Sequence, residues 1–334
     1  MVQRLKRRLV TVPLLFAVTG ALTAAAPALL PLALVLSILP PWRGAARTLA
    51  FVLAYLWCET VGVLVAGGIW VKHGFVTRRR PRWPKFLADN HRLQCAWSRA
   101  LQRSAERIFR LEFHVEGDEA LAGPGAITLA RHASMADTII PMVFYAIPHR
   151  IRLRYVLKRE LLLDPCLDIV GNRLPNTFVD RDAEDSGPEI TRVADLARDL
   201  APDEGVLIYP EGTRFSEARR ARVLDRLATR VDAAELARMQ RWTDLLPPRL
   251  GGPLALLDAN PGRDLVFCAH SGFEGSTHFS NLVNGSWTGA HIRIRFWRVP
   301  HESIPAELGA RRAFLYAEWD RMQETVVALR DAHR

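Results

Sequence analysis

The sequence predicts an α/β domain behind a hydrophobic helical hairpin. Two observations predict the hairpin. Leu9–Leu39 is 31 residues without a charge, and Thr48–Val71 is 24 residues with Glu59 as its one charged side chain. A third predicts the domain: beyond about residue 84, short apolar or alternating stretches of strand type alternate with helical ones. The chain has 334 residues, 49% of them apolar, enough to bury a large core. That composition excludes disordered, collagen-like and coiled-coil classes.

The hairpin is assigned to residues 1–83 and the α/β body to 84–334. Each apolar run exceeds the roughly 20 residues that cross a bilayer. A cleaved signal peptide does not fit, because the first run is too long and a second follows at once. Pro13, Pro27 and Pro31 predict a kinked or broken first helix. Pro40–Arg47 forms the short connection. Glu59 reads either as an intramembrane functional acid or as a group facing the partner helix or the interface.

The net charge is +10, and its placement excludes a nucleic-acid partner. Residues 1–85 hold twelve cations and one anion, leaving 33 cations against 34 anions in the remainder. Basic flanks around apolar runs point to anionic headgroups. By the positive-inside rule both hairpin ends face the cytoplasm, as at a bacterial inner membrane. Cys58, Cys95, Cys166 and Cys268 have neither C-x-x-C nor zinc spacing, so a reduced body without disulfides is expected.

In the body, residues 84–110 read as a helix, and 111–116, 125–130, 152–157, 205–209, 265–269 and 292–299 as strands. An apolar helix is expected from Asp137 to Ala146. Ser186 with Glu189 reads as a capping box for a helix whose face carries Ile190, Val193, Ala197 and Leu200. Ser216 is expected to cap one long helix to about Arg241, and residues 305–332 form a terminal helix.

Two turns carry candidate chemistry. His132 ends a buried strand five positions before Asp137. A neutral imidazole can accept a hydroxyl proton, and a nearby carboxylate can fix its tautomer. Ten His and 18 Asp give about 0.5 such spacings by chance, so the pattern alone reads equally well as a histidine at a helix start. Tyr209-Pro-Glu-Gly-Thr-Arg214 is far rarer, since Glu-Gly-Thr-Arg is expected about 0.006 times. A glycine-containing turn with an Arg fork is suited to a phosphate oxyanion. Between them, Phe178-Val179-Asp180-Arg181 is a second apolar–acid–Arg stop. The other histidines, His270, His114 and His291 among them, read as structural or surface residues.

These three motifs, in this order and spacing, resemble the glycerolipid acyltransferases, the 1-acyl-glycerol-3-phosphate (lysophosphatidate) branch above all. Lys158-Arg159-Glu160-Leu161 is similar to that family's K-x-E-L stretch, and Leu245–Gly252 to a subfamily feature. Arg131 stands where the family usually has Asn, and Asn176-Thr177 where it commonly has Gly. The resemblance implies a single domain with a mixed central sheet flanked by helices. It implies that His132, oriented by Asp137, deprotonates the acceptor hydroxyl for attack on the thioester of acyl-CoA or acyl-carrier protein. Gly212, Thr213, Arg214, Arg181 and Lys158 would hold the acceptor phosphate, and Glu211 would orient the loop. No metal or cofactor is implied. The implied partners are membrane lipids, a lysophospholipid acceptor and the thioester donor. Other acceptors (another lysophospholipid, glycerol 3-phosphate, an aminolipid) and a non-catalytic membrane-anchored lipid-binding protein are the competing readings.

Overall fold

The computed structural model describes residues 2–74, 83–180, 187–273 and 280–332. In chain order the elements are α1 (Val2–Leu36), α2 (Ala45–Lys72), α3 (Trp83–Phe109), β1 (Glu112–Glu116), β2 (Ile127–Ala130), β3 (Arg152–Lys158), α4 (Pro165–Gly171), β4 (Thr177–Val179), α5 (Gly187–Asp195), β5 (Glu204–Ile208), α6 (Glu217–Leu227), α7 (Ala233–Gln240), α8 (Gly251–Asp258), β6 (Leu265–Ser271), α9 (Ser280–Val283), β7 (His291–Val299) and α10 (Leu308–Asp331). The chain divides into two units. One comprises residues 1–111, 157–179 and 279–289, the other 112–156, 180–278 and 290–334.

The first unit is helical. α1 and α2 run antiparallel: Thr19 meets Thr60 (Oγ1–Oγ1 3.1 Å) and the Trp57 indole donates to Thr23 Oγ1 (3.1 Å). α1 is one continuous helix through Pro13, Pro27 and Pro31, so of the kinked or broken helix expected, the break does not occur. Each proline removes one ladder hydrogen bond, and the intervening turns carry the helix on. α2 in turn packs antiparallel along α3, from the Phe51–Phe109 ring pair (5.3 Å) to the His73 Nε2–Asp89 contact (3.0 Å). Gly62 permits close approach of α4, since a Cβ there would lie 2.6 Å from Cys166 Sγ. Leu15, Val63, Ala66, Cys166 and Val170 form the resulting core.

Glu59 faces neither lipid nor α1. It is buried against the body, accepting hydrogen bonds from the Trp97 indole (2.7 Å) and the Cys166 N–H (3.2 Å). Several of the flanking cations are paired with carboxylates of the protein. Arg7 and Arg8 both pair with the buried Asp168 (2.6 and 3.0 Å), and Lys72 pairs with Asp89 (2.9 Å). The outer faces of α1 and α2 remain apolar and exposed, with Leu9, Leu14, Leu34, Trp57, Val61, Leu64 and Trp70 among their residues.

The second unit is built on the sheet, whose order is β1-β7-β6-β2-β5-β3-β4. β3 ends in the first unit, where β4 also lies. β1 is parallel to β7, and β2 is parallel to both β5 and β6. β7 is antiparallel to β6. The sheet is therefore mixed, as expected. All residues of β2 and β6 are buried, the signature of strands covered on both faces. α10 supplies Trp319, Met322, Val326 and Leu329 to that core.

Two helical expectations change. Residues 217–241 form two helices, because Asp232 accepts the Glu235 N–H (2.8 Å) and starts α7 afresh. No residue of α6 is fully buried. The segment after Asp137 is a 3-10 turn, Ala136–Ile139, then a π turn, Met142–Ala146. Pro141 has no N–H with which to join them in one α-helix. Ser186 lies outside the described residues.

Candidate active site at the carboxyl ends of β2 and β5

β2 and β5 are parallel neighbours, with Leu129 opposite Ile208. Their carboxyl ends therefore deliver His132 and Glu211 to the same place, where parallel sheets commonly hold their sites. The two turns lock together through the backbone of His132. Its N–H donates to Glu211 Oε1 (2.6 Å), and its C=O accepts the Phe215 N–H (2.7 Å). Glu211 Oε2 accepts the Leu246 N–H (2.9 Å). Glu211 is thus a buried bracket joining three segments. Burial pushes its carboxyl up to about 7, against the pull of the two backbone N–H groups.

His132 Nδ1 lies 3.0 Å from Asp137 Oδ1, while Asp137 Oδ2 accepts the N–H groups of Ala133 (2.6 Å) and Ser134 (2.7 Å). Burial by itself would raise the Asp137 pKa. The charge and hydrogen bond of His132, then those of His270, outweigh it and hold the carboxyl well below the usual range. An ionised Asp137 can only accept, so Nδ1 of His132 carries the proton. Nε2 is left as the basic atom. The Tyr209 ring packs against the imidazole (4.8 Å between centroids), and its hydroxyl donates to the Asp137 carbonyl (3.2 Å). Imidazole, carboxylate and supporting ring thus sit in one fixed cluster.

Gly212 adopts φ +72°, a conformation that favours glycine. A Cβ there would meet Arg249 Cδ at 3.0 Å, and the Arg249 N–H donates to the Pro210 carbonyl (2.8 Å). Thr213 and Arg214 are half-buried in the same turn. The cluster therefore gathers His132, Asp137, Glu211, Gly212, Thr213 and Arg214. Lys158 belongs to the first unit, where its ammonium pairs with Glu160 (2.6 Å). Arg181 lies outside the described residues.

Three residues around this cluster were given no site role in the sequence reading. His270 was read as structural or surface, yet its Nε2 lies 3.5 Å from Asp137 Oδ2 and 3.3 Å from the Arg131 carbonyl. It comes from β6, some 130 positions downstream, and no local spacing announces it. Arg131 is fully buried, with its guanidinium donating to the carbonyls of His270 and Asp244. It acts as an interior brace behind the histidine. Arg249 follows a Pro-Pro pair that marks a turn, but only the fold puts it over Gly212.

Residues 112–250 match the family model described as Acyltransferase. The segment is an acyltransferase-family domain. Its fold is similar to that of a solved 1-acyl-sn-glycerophosphate (LPA) acyltransferase, PlsC, from Thermotoga maritima. The TM-score is 0.53 at 16% identity, over 85% of this chain and 96% of that one. Comparison of the sequence with curated proteins gives no match. The acyltransferase-family segment spans His132, Asp137, the Glu211–Arg214 turn and Arg249, and ends before β6, so His270 lies beyond it.

Proposed function

We propose that this acyltransferase moves a fatty acyl group from acyl-CoA or acyl-carrier protein onto the free hydroxyl of a lysophospholipid, 1-acyl-glycerol 3-phosphate first, giving phosphatidate. The observation that carries the proposal is the His132–Asp137 pair locked through its backbone to the Glu211–Arg214 turn. His132 Nε2 takes the acceptor proton as the hydroxyl oxygen attacks the thioester carbonyl. Asp137 stabilises the imidazolium, which then protonates the departing thiolate. The N–H groups of the glycine turn and the Arg214 fork suit the acceptor's phosphomonoester. Lys158 and Arg181 stay in the proposal as further phosphate partners, as the family resemblance implies.

The hairpin is proposed to hold the enzyme at a membrane, where single-chain lipids reside. Because α2 carries α3 along its length, and α3 exposes Lys85, Arg92, Arg99 and Arg103, the hairpin embeds by its outer apolar face. It does not cross the bilayer as a free pair of spans. Exposed Trp42, Trp57 and Trp70 suit a membrane interface.

The test is direct. The purified full chain in detergent micelles is given labelled acyl-CoA or acyl-carrier protein with lysophosphatidate, other lysophospholipids, glycerol 3-phosphate and an aminolipid. Labelled phosphatidate from lysophosphatidate is the expected product. Transfer confined to another acceptor overturns the substrate. No transfer to any acceptor overturns the enzyme reading in favour of a lipid-binding protein.

A further inference from the structure

One carboxylate and two imidazoles converge at the outer edge of the sheet. Glu112 begins β1 and His291 begins β7, and the two are register partners in parallel strands. Their side chains therefore leave the same face, and His114, two residues after Glu112, leaves it too. His291 Nδ1 lies 3.2 Å from Glu112 Oε2, His114 Nε2 lies 3.4 Å from His291 Nδ1, and His114 Nε2 lies 3.9 Å from Glu112 Oε2. The two imidazoles stack, 14° from parallel with centroids 5.7 Å apart.

The triangle has the dimensions of a metal face. Ligand bonds of about 2.0–2.1 Å at tetrahedral angles place donor atoms about 3.3–3.4 Å apart. Two of the three edges meet that value, and the third closes with a small rotation of an exposed carboxylate. All three residues are exposed, so a fourth position is open to water. We propose that Glu112, His114 and His291 form a binding site for a divalent transition cation of the zinc class.

The donor set chooses the metal. Two imidazoles and one carboxylate suit Zn²⁺, and also Co²⁺, Ni²⁺ and Cu²⁺, whereas Mg²⁺ and Ca²⁺ want oxygen ligands throughout. Arg293 is the register partner of His114 on that face. Its charge opposes any cation held by attraction alone, which disfavours the hard ions further. Among the described strands β1 is at the edge with β7 as its one neighbour, so the metal would clamp the first residues of that edge. β7 and β6 separate β1 from β2, which places this site apart from the His132 cluster in the sheet order.

The experiment uses the untagged full chain in a non-chelating buffer, titrated with Co²⁺ and read by visible absorption. One equivalent should produce the intense bands of four-coordinate Co²⁺. One equivalent of Zn²⁺ should abolish them, and excess Mg²⁺ should leave them intact. Zn²⁺ should also raise the melting temperature. His114→Ala with His291→Ala, and separately Glu112→Gln, should lose the bands and the melting shift while circular dichroism stays unchanged. The weak spectrum of six-coordinate Co²⁺ in the intact chain overturns the site. Bands or a melting shift that persist in the double-histidine variant overturn it too, since they place the metal elsewhere.

Discussion

Glu211 Oε1 accepts the backbone N–H of His132 at 2.6 Å, which fastens the turn after β5 to the turn after β2. This bracket works through the main chain, so its loss should misplace the histidine without removing a reacting group.

The same carboxyl makes a stability prediction. Glu211 titrates at about 7 in the folded protein, raised from 4.5 by burial. Between those values the unfolded chain is ionised while the native carboxyl holds its proton. Its contribution to stability is therefore complete below pH 4.5 and is lost as pH rises through about 7, at up to about 1.4 kcal/mol per pH unit. Glu211→Gln should remove that slope. Melting temperatures of the two proteins from pH 4.5 to 8 should show the wild type falling relative to the variant. A constant offset across that range would mean that Glu211 is already ionised.

His132→Ala should lose about 10²–10⁴ in acyl-transfer rate with folding intact, the usual worth of a general base. Asp137→Asn should fail for a different reason. Its amide nitrogen would have to donate to Nδ1, shifting the imidazole proton to Nε2 and removing the basic atom. Turnover near wild type in either variant would sink the mechanism. The depressed Asp137 carboxyl also contributes stability above the usual carboxylate range, lost only as the pH falls through its low folded value.

His270 tests whether the pair is in fact a trio. Its Nε2 approaches Asp137 Oδ2, which two backbone N–H groups also hold. His270→Ala should lower kcat less than His132→Ala does and leave both KM values unchanged. An equal rise in KM for donor and acceptor would instead indicate general collapse of the turn.

Arg214→Ala should raise the KM for lysophosphatidate by roughly tenfold to a hundredfold, the equivalent of about 1.5–3 kcal/mol for a lost charge-assisted hydrogen bond. The KM for acyl-CoA should change less. Arg214→Lys restores charge without the fork and should rescue only in part. Equal losses toward both substrates would show that Arg214 merely holds its loop together.

What the sequence made legible follows from spacing. Local pattern marked the strands 111–116, 265–269 and 292–299 and the two turns, because alternating or continuous apolarity and Gly-Thr-Arg chemistry are local facts. That Glu211 would reach the His132 N–H required β2 and β5 to be neighbours, which no short motif encodes. The burial of Arg131 and the approach of His270 depend on β6 beside β2, a pairing of residues about 140 positions apart. Composition marked the hairpin as apolar but could not show which cations pair internally. Arg7 and Arg8 read as headgroup charges until Asp168, about 160 residues away, is seen between them.

Membrane retention should depend on one face of the hairpin. Deleting α1 and α2 outright would expose the buried side of α3 and remove the partners of Asp168 and Trp97, so truncation confounds anchoring with folding. Point charges separate the two. Trp57, Val61 and Leu64 are 47, 49 and 59% exposed, and their spacing of four and then three residues puts them on one side of α2. Val61→Glu with Leu64→Glu should release the protein from sedimented membranes, since a carboxylate at an apolar lipid boundary is strongly unfavourable. Thermal melting in detergent should stay within a few degrees of wild type. The same double substitution to Ala should remain bound. If the charged variant sediments as fully as the wild type, the outer face of α2 is not the anchor. The exposed apolar residues of α1, among them Leu9, Leu14 and Leu34, must then hold the membrane alone.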